Sequence, residues 1–147
     1  IHQKLGDKYI IIFKAHPLIK QSKYEGNPNV LFIKDESISP IFCVTDILVT
    51  DYSAITIDWM AFDKPTIAYV PDIKKYSRKP GLTIDYYEEF PGQVVKNEKE
   101  LVKAIKSNNS QKECEKRHLF TKKMYNFKDG RSTERVVELI DTIMSSE

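Results

Sequence analysis

The chain has almost no excess charge of either sign: 23 lysines and arginines stand against 21 acids, a formal net charge of +2. So weak an overall field argues against a protein built to hold nucleic acid or an acidic membrane through bulk charge. Cysteine is nearly missing, and the only two, Cys43 and Cys114, lie too far apart to form a CxxC unit. That spacing points to a reducing compartment rather than a disulfide framework. No apolar run approaches the ~20 residues a membrane helix needs. Also absent at the start, Ile1-His2-Gln3-Lys4-Leu5, are an initiator Met, a charged leader and an apolar leader segment, which predicts a piece of a larger protein. What is present describes an ordinary globular domain: 147 residues, 41% hydrophobic, 30% charged and 11% aromatic. A chain of that size buries roughly 70% of its unfolded surface.

The apolar residues fall into short, β-branched runs separated by helical patterns. Tyr9-Ile10-Ile11-Ile12-Phe13 reads as a strand buried on both faces, stopped at Lys14-Ala15-His16-Pro17 by the proline. Val30–Ile33, Ile47–Val49, Thr66–Val70 and Gln93–Val95 read as further strands. Between them, a short helix from Ser39 to Val44 has Ser39 as its cap and Pro40 in its first turn. A helix from Ser53 to about Asp63 carries Ile55, Trp59 and Phe62 on one buried face. Asn97-Glu98-Lys99-Glu100 has the spacing of a capping box and opens a helix to about Lys106. Residues 110–125 form another helix, and a last one buries Val136, Leu139, Ile140 and Ile143. Strands alternating with helices predict one α/β domain with a parallel sheet flanked by helices.

Ligands of open parallel sheets bind beyond the carboxyl ends of the strands. The polar residues that follow the apolar runs are therefore the candidates. Lys14 and His16 follow the first run, two apart and so on one side of an extended chain. Asp51, Tyr52 and Ser53 follow the third. Ser53 either caps its own helix or adds a hydroxyl donor to a phosphate held by that helix start. The start lacks the glycines of GxGxxG or of a P-loop, which argues against a dinucleotide fingerprint and a Walker site. His16 reads as a general base, as an imidazolium facing phosphate charge, or as an ordinary loop histidine. Asp51 and Asp58 lack the third partner that a metal site needs. Lys74, Lys75, Arg78 and Lys79 either embrace a diphosphate or lipid headgroups or stand solvated on a loop. Tyr86, Tyr87 and Phe90 read as packing residues or as a ring that stacks on a base, and Cys43 has no basic neighbour to make it a nucleophile.

Several pieces in a fixed order carry a resemblance. They are Phe13-Lys14-Ala15-His16-Pro17, then Val49-Thr50-Asp51-Tyr52-Ser53 followed by Asp58, and Lys64-Pro65. Asp85-Tyr86-Tyr87-Glu88-Glu89-Phe90-Pro91-Gly92 and Asp129-Gly130 with Ser132 and Arg135 complete the set. Over roughly residues 8 to 140 the chain resembles the C-terminal part of the CDP-glycerol glycerophosphotransferase family, the teichoic-acid primases, polymerases and related capsule enzymes. The resemblance implies a Rossmann-like parallel sheet flanked by helices. This would be the C-terminal, nucleotide-binding half of a glycosyltransferase-B type enzyme, working across a cleft from an N-terminal domain of the same protein. It implies transfer of glycerol phosphate from CDP-glycerol to a hydroxyl of a membrane-anchored glycan or polymer, at the inner face of the bacterial membrane and without nucleic acid.

By the same resemblance His16 is the catalytic residue. Lys14, Asp51 and Ser53 bind the donor, with Ser132, Thr133 and Arg135 as a second anion site. The segment from Asp85 to Glu89, Glu88 included, meets the cytidine or ribose. Mg²⁺ is the one candidate cofactor, because phosphoryl transfer often recruits it. Two departures stand out: Ala54, where many members carry a second serine, and Gln93, where the family often has proline. The competing expectations are a CDP-ribitol or nucleotide-sugar transferase of the same fold, and a nucleotide-binding domain without catalysis.

Overall fold

The computed structural model describes residues 1–14, 28–33, 37–107 and 110–146. Its elements run α1 (His2–Leu5), β1 (Ile11–Lys14), β2 (Val30–Ile33), α2 (Ile38–Val44), β3 (Leu48–Thr50) and α3 (Ile55–Trp59). They continue with a 3₁₀ turn (Met60–Phe62), β4 (Thr66–Tyr69), α4 (Ile73–Tyr76), β5 (Gln93–Val95), α5 (Glu98–Lys106), α6 (Gln111–Met124) and α7 (Ser132–Met144). All described strand pairs are parallel. β1 pairs with β2, and β3, β4 and β5 form a three-stranded sheet in that order. The chain therefore adopts the expected α/β architecture of parallel strands flanked by helices, with the described strands divided between two sheets where a single one was expected.

β4 is the central strand, and its alternation shows why. Ile67 points into a cluster with Val95, Leu101, Ala104 and Ile105, which seats α5 on one face. Ala68 and Val70 point the other way, into a cluster with Ile73, Tyr86 and Phe90. A strand covered on both faces has to be apolar at successive positions, as Thr66–Val70 is. A third cluster joins Phe42 of α2, Trp59, Met60 and Phe120 of α6. The turn before β5 depends on Gly92. A Cβ there would lie 1.9 Å from the Thr66 carbonyl oxygen, so only a glycine lets the two backbones approach this closely.

Helix ends follow their caps. Asn97 accepts from the Glu100 N–H at 3.0 Å while the Glu100 carboxylate takes the Lys96 N–H, which opens α5 as its spacing predicts. Ser110 and Glu113 form a reciprocal capping box at α6. Arg117 of α6 is buried, and its Nε donates to Asp63 at 3.2 Å. Asp63 sits in the left-handed region (φ 49°) and stops the 3₁₀ turn. Lys64 ties α2 down: its ammonium donates to the carbonyls of Phe42, Cys43 and Thr45 at 3.3, 3.2 and 2.7 Å.

Five expectations are corrected. Ser39 lies inside α2, with Ser37 at the cap position; the first helical N–H groups need no partner, so Pro40 fits two residues further in than a cap at Ser39 implies. The first run is not buried on both faces: Ile10 is 67% exposed and Phe13 38%, because β1 has only β2 beside it among the described residues. Phe62 is 37% exposed, since the helix tightens to 3₁₀ at Met60 and the turn carries Met60, not Phe62, into the core. Tyr87 is exposed, with the Lys96 ammonium over its ring at 4.9 Å. Finally, α7 buries nothing: Val136, Leu139, Ile140 and Ile143 are all at least half exposed, because no described element covers them.

Candidate functional site

The β3–β4 register sets Thr50 opposite Ala68. The two parallel neighbours therefore deliver Asp51-Tyr52-Ser53 and Pro71-Asp72 side by side at their carboxyl ends. Tyr52 organises this edge. Its hydroxyl donates to Asp72 Oδ1 at 2.8 Å, and its ring stacks on Tyr76 of α4 with centroids 3.6 Å apart and planes 14° from parallel. Tyr86 meets the same ring edge-on at 5.6 Å and donates its own hydroxyl to the Asp51 carbonyl at 3.1 Å. Two segments distant in sequence, one at α4 and one at Tyr86, are thus pinned to the short loop that follows β3.

Both phenols are held as donors. Burial first, then the hydrogen bond and charge of Asp72, push the Tyr52 hydroxyl well above the ordinary tyrosine range. Burial and the neighbouring Asp51 charge push Tyr86 up to about 12. Neither phenol can act as a base near neutrality, so their work is to fix the loop.

Ser53 Oγ accepts from the Ile55 N–H at 3.3 Å, and the Ser53 carbonyl accepts from the Thr56 hydroxyl at 3.4 Å. The serine therefore touches the helix entry, but the expected cap shifts by one residue: Ala54 occupies the cap position of α3 and no side chain caps it. Asp51 and Ser53 are both exposed at this edge. α3 has only five residues, so its dipole is weaker than that of a full helix.

Beside the tyrosines lies an open cleft of about 700 Å³, lined among others by Ile73, Lys74, Leu82, Tyr86, Tyr87 and Lys96. Its far wall is a self-capped turn. Asp85 Oδ1 accepts from the N–H groups of Tyr87 and Glu88 at 2.8 and 3.2 Å, and Glu89 Oε2 accepts from the Asp85 N–H at 2.9 Å. Glu89 also pairs with Lys123, which first among its partners holds the carboxyl below its ordinary range. Glu88 is exposed outside this wall.

The other expected site residues lie elsewhere. Lys14 ends β1, in the two-stranded sheet, and is exposed. His16 lies outside the described residues. Ser132 and Thr133 begin α7 and are exposed; Arg135 packs on the Phe127 ring at 3.8 Å and grips both oxygens of Asp129. That grip, with the Arg131 N–H, lowers the Asp129 carboxyl to about 2. The structure thus brings Asp51 and Ser53 together with Tyr52, Asp72, Tyr76 and Tyr86. Among the described residues no three His, Cys, Asp or Glu side chains gather as a metal set, and Asp51 and Asp58 gain no third partner.

The tyrosine bracket is the feature that sequence reasoning missed. Tyr52 stands inside a motif and Asp72 shortly after a strand, but nothing in their spacing announces a hydrogen bond across twenty residues or the stack of Tyr52 on Tyr76 beside it.

Comparison with known proteins agrees with this architecture. The chain is 32% identical over 144 residues to the teichoic acid glycerol-phosphate transferase of Staphylococcus aureus (strain NCTC 8325 / PS 47), covering 95% of the chain and 37% of that protein. It is 33% identical over 147 residues to the teichoic acid poly(glycerol phosphate) polymerase of Bacillus subtilis (strain 168), covering 95% of the chain and 20% of that protein. A structure of the wall teichoic acid polymerase TagF, soaked with CDPG, superposes with a TM-score of 0.81 at 26% identity, over 98% of this chain and 37% of that one. The chain thus spans well under half the length of these relatives. No helix among the described residues is long and apolar enough to cross a membrane. A family model described as CDP-Glycerol:Poly(glycerophosphate) glycerophosphotransferase matches residues 1–142, and the chain belongs to that family.

Proposed function

We propose that this chain is the donor-binding part of an enzyme that transfers glycerol phosphate from CDP-glycerol to a hydroxyl of a membrane-anchored glycan or teichoic-acid polymer. The observation that carries this reading is the bracketed loop Asp51-Tyr52-Ser53 at the carboxyl edge of a parallel sheet, in a chain whose family model spans residues 1–142. A diphosphate needs fixed donors, and a loop locked by Tyr52, Tyr76 and Tyr86 presents the Ser53 hydroxyl without reorganisation when charge develops. Asp51 orders that loop through its carbonyl, which Tyr86 holds.

The chemistry is an in-line displacement. An acceptor hydroxyl attacks the β-phosphorus, the bond to the CMP oxygen breaks, CMP leaves, and the hydroxyl proton passes to a base. In this reading His16 takes that proton or faces the phosphates, Lys14 adds positive charge, and Ser132, Thr133 and Arg135 form a second anion site once Asp129 shares the Arg135 guanidinium with the ligand. Glu88 and its segment meet the cytidine or ribose. The N-terminal domain of the same protein supplies the other wall of the cleft, and the enzyme works at the inner face of the membrane.

Calorimetry is the test. The chain alone is expected to bind CDP-glycerol weakly, to bind CMP, and to produce no turnover. Tighter binding of a uridine nucleotide-sugar, or of CDP-ribitol, rejects the assignment of the donor.

A further inference from the structure

Lys74, Lys75, Arg78 and Lys79 wrap a second concavity of about 530 Å³, and these four residues are its whole lining. The segment is an ordered coil. Lys75, Tyr76, Ser77, Arg78 and Lys79 donate their N–H groups to carbonyls three or four residues back, and Gly81 closes the coil on Tyr76 at 2.9 Å. In such a coil residues four apart stand on the same side, so Lys74 stacks over Arg78 and Lys75 over Lys79. Like charges so placed repel one another, a cost that no intramolecular acid offsets here. Among the described residues none of the four makes an ion pair or a side-chain hydrogen bond, and all four are exposed. The nearby acids are already engaged: Asp72 by the Tyr52 hydroxyl, Asp85 by two backbone N–H groups, Glu89 by Lys123. Lys74 also lines the larger cleft beside Tyr86, so the two concavities flank one shared side chain.

We infer that this groove binds a phosphodiester polyanion, the glycerol-phosphate polymer that the proposed enzyme extends, and leads its hydroxyl end toward the donor cleft. The inference rests on that functional reading for the identity of the polymer. Two features select a thread-like polyanion over a membrane surface. The cations line a concavity, whereas a bilayer is flat. The adjoining apolar side chains give a lipid interface little to hold: Ile73 is buried, the Tyr76 ring is stacked on Tyr52, and the exposed neighbour Pro80 is no large apolar anchor.

The test measures binding of fluorescent oligo(glycerol phosphate), short and long, to the whole protein and to a Lys75→Ser, Arg78→Ser, Lys79→Ser variant, with CDP-glycerol binding measured in parallel. Affinity should rise with oligomer length and fall with salt. The variant should bind the long oligomer at least roughly tenfold more weakly, with a shallower salt slope, and bind CDP-glycerol as before. Should the triple variant fold poorly, Lys79→Gln and Lys79→Glu replace it, and a graded loss, larger for Glu, is the supporting result. Unchanged oligomer binding overturns the inference. So does competition by inorganic phosphate without dependence on oligomer length, which makes this a simple anion site. Tighter binding to phosphatidylglycerol vesicles than to the oligomer, abolished in the variant, overturns it in favour of a lipid surface. Failure of the wild type to bind CDP-glycerol while it still binds the oligomer rejects the functional reading and leaves the groove standing.

Discussion

Lys64 offers the sharpest quantitative test of how this fold is held. Replacing it with Met keeps most of the stem and removes the ammonium that bonds the Phe42, Cys43 and Thr45 carbonyls. The Cys43 carbonyl is exposed and recovers its partner from water, so it contributes little. The part-buried Phe42 and Thr45 carbonyls lose a charged donor, at about 1 kcal/mol each. The ammonium also lies 5.8 Å from the Trp59 ring centroid, which adds about 0.5 kcal/mol. The sum is about 2–3 kcal/mol. With an unfolding entropy of about 2.1 cal/mol/K for each of the 147 residues, a loss of that size lowers Tm by about 6–10 °C. Lys128→Met is the control, because its ammonium meets a single carbonyl, that of Met60, at 3.1 Å, and the expected loss is at most about 1 kcal/mol. Calorimetric melting and urea denaturation of both variants supply the numbers. A Lys64→Met loss below about 0.5 kcal/mol, or one no larger than that of Lys128→Met, refutes the idea that Lys64 fastens the end of α2.

Gly92→Ala drives a Cβ into the Thr66 carbonyl of β4, and a loss of about 3 kcal/mol or more is expected. Soluble yield and circular dichroism read it, and a variant that melts like the parent refutes the contact. Thr66→Val should do the opposite. The Thr66 hydroxyl is buried with no partner among the described residues, so removing it should gain up to about 1 kcal/mol; a loss of stability means the hydroxyl is bonded. Acid should loosen the molecule in one direction only. Asp129 is lowered to about 2 from an ordinary 3.8 by Arg135, and at Asp63 Arg117 and His118 outweigh the upward push of burial. Both folded values are depressed, so their stabilisation is present above the ordinary value and is lost as pH falls from about 4 toward 2. Arg135→Gln should flatten the part of that loss seen as melting of α7, and an unaltered acid profile would discount the Asp129 pair.

The parallel α/β architecture was legible because β4 is covered on both faces and so had to be apolar at successive positions. The Asn97 cap was legible because its logic is local, although Glu100 answers with the Lys96 N–H rather than that of Asn97. Ser53 was placed one residue before the cap position, which Ala54 takes, because a serine signals a helix start without fixing its exact residue. What escaped depends on contacts between distant segments. The stack of Tyr52 on Tyr76 and the bond from Tyr86 to Asp51 link three loops, and no period in the chain encodes them. Lys64-Pro65 was visible as a motif, but its reason, three carbonyls at the end of α2, required the fold. The apolar stripe on α7 was read correctly as a stripe and wrongly as core, since periodicity reports that a face is apolar and not what covers it.

That uncovered stripe gives α7 an independence the rest of the molecule lacks. Thirteen residues are marginal for a helix standing on its own. Apart from contacts at its start, where Arg135 grips Asp129 and packs on Phe127 and Arg131 pairs with Glu134, α7 has little to resist opening. It should therefore unravel and reform as a unit of its own while β3, β4 and β5 stay intact. In hydrogen exchange its amides should trade with solvent almost at once, long before those of Ile67 and Ala68 begin to move.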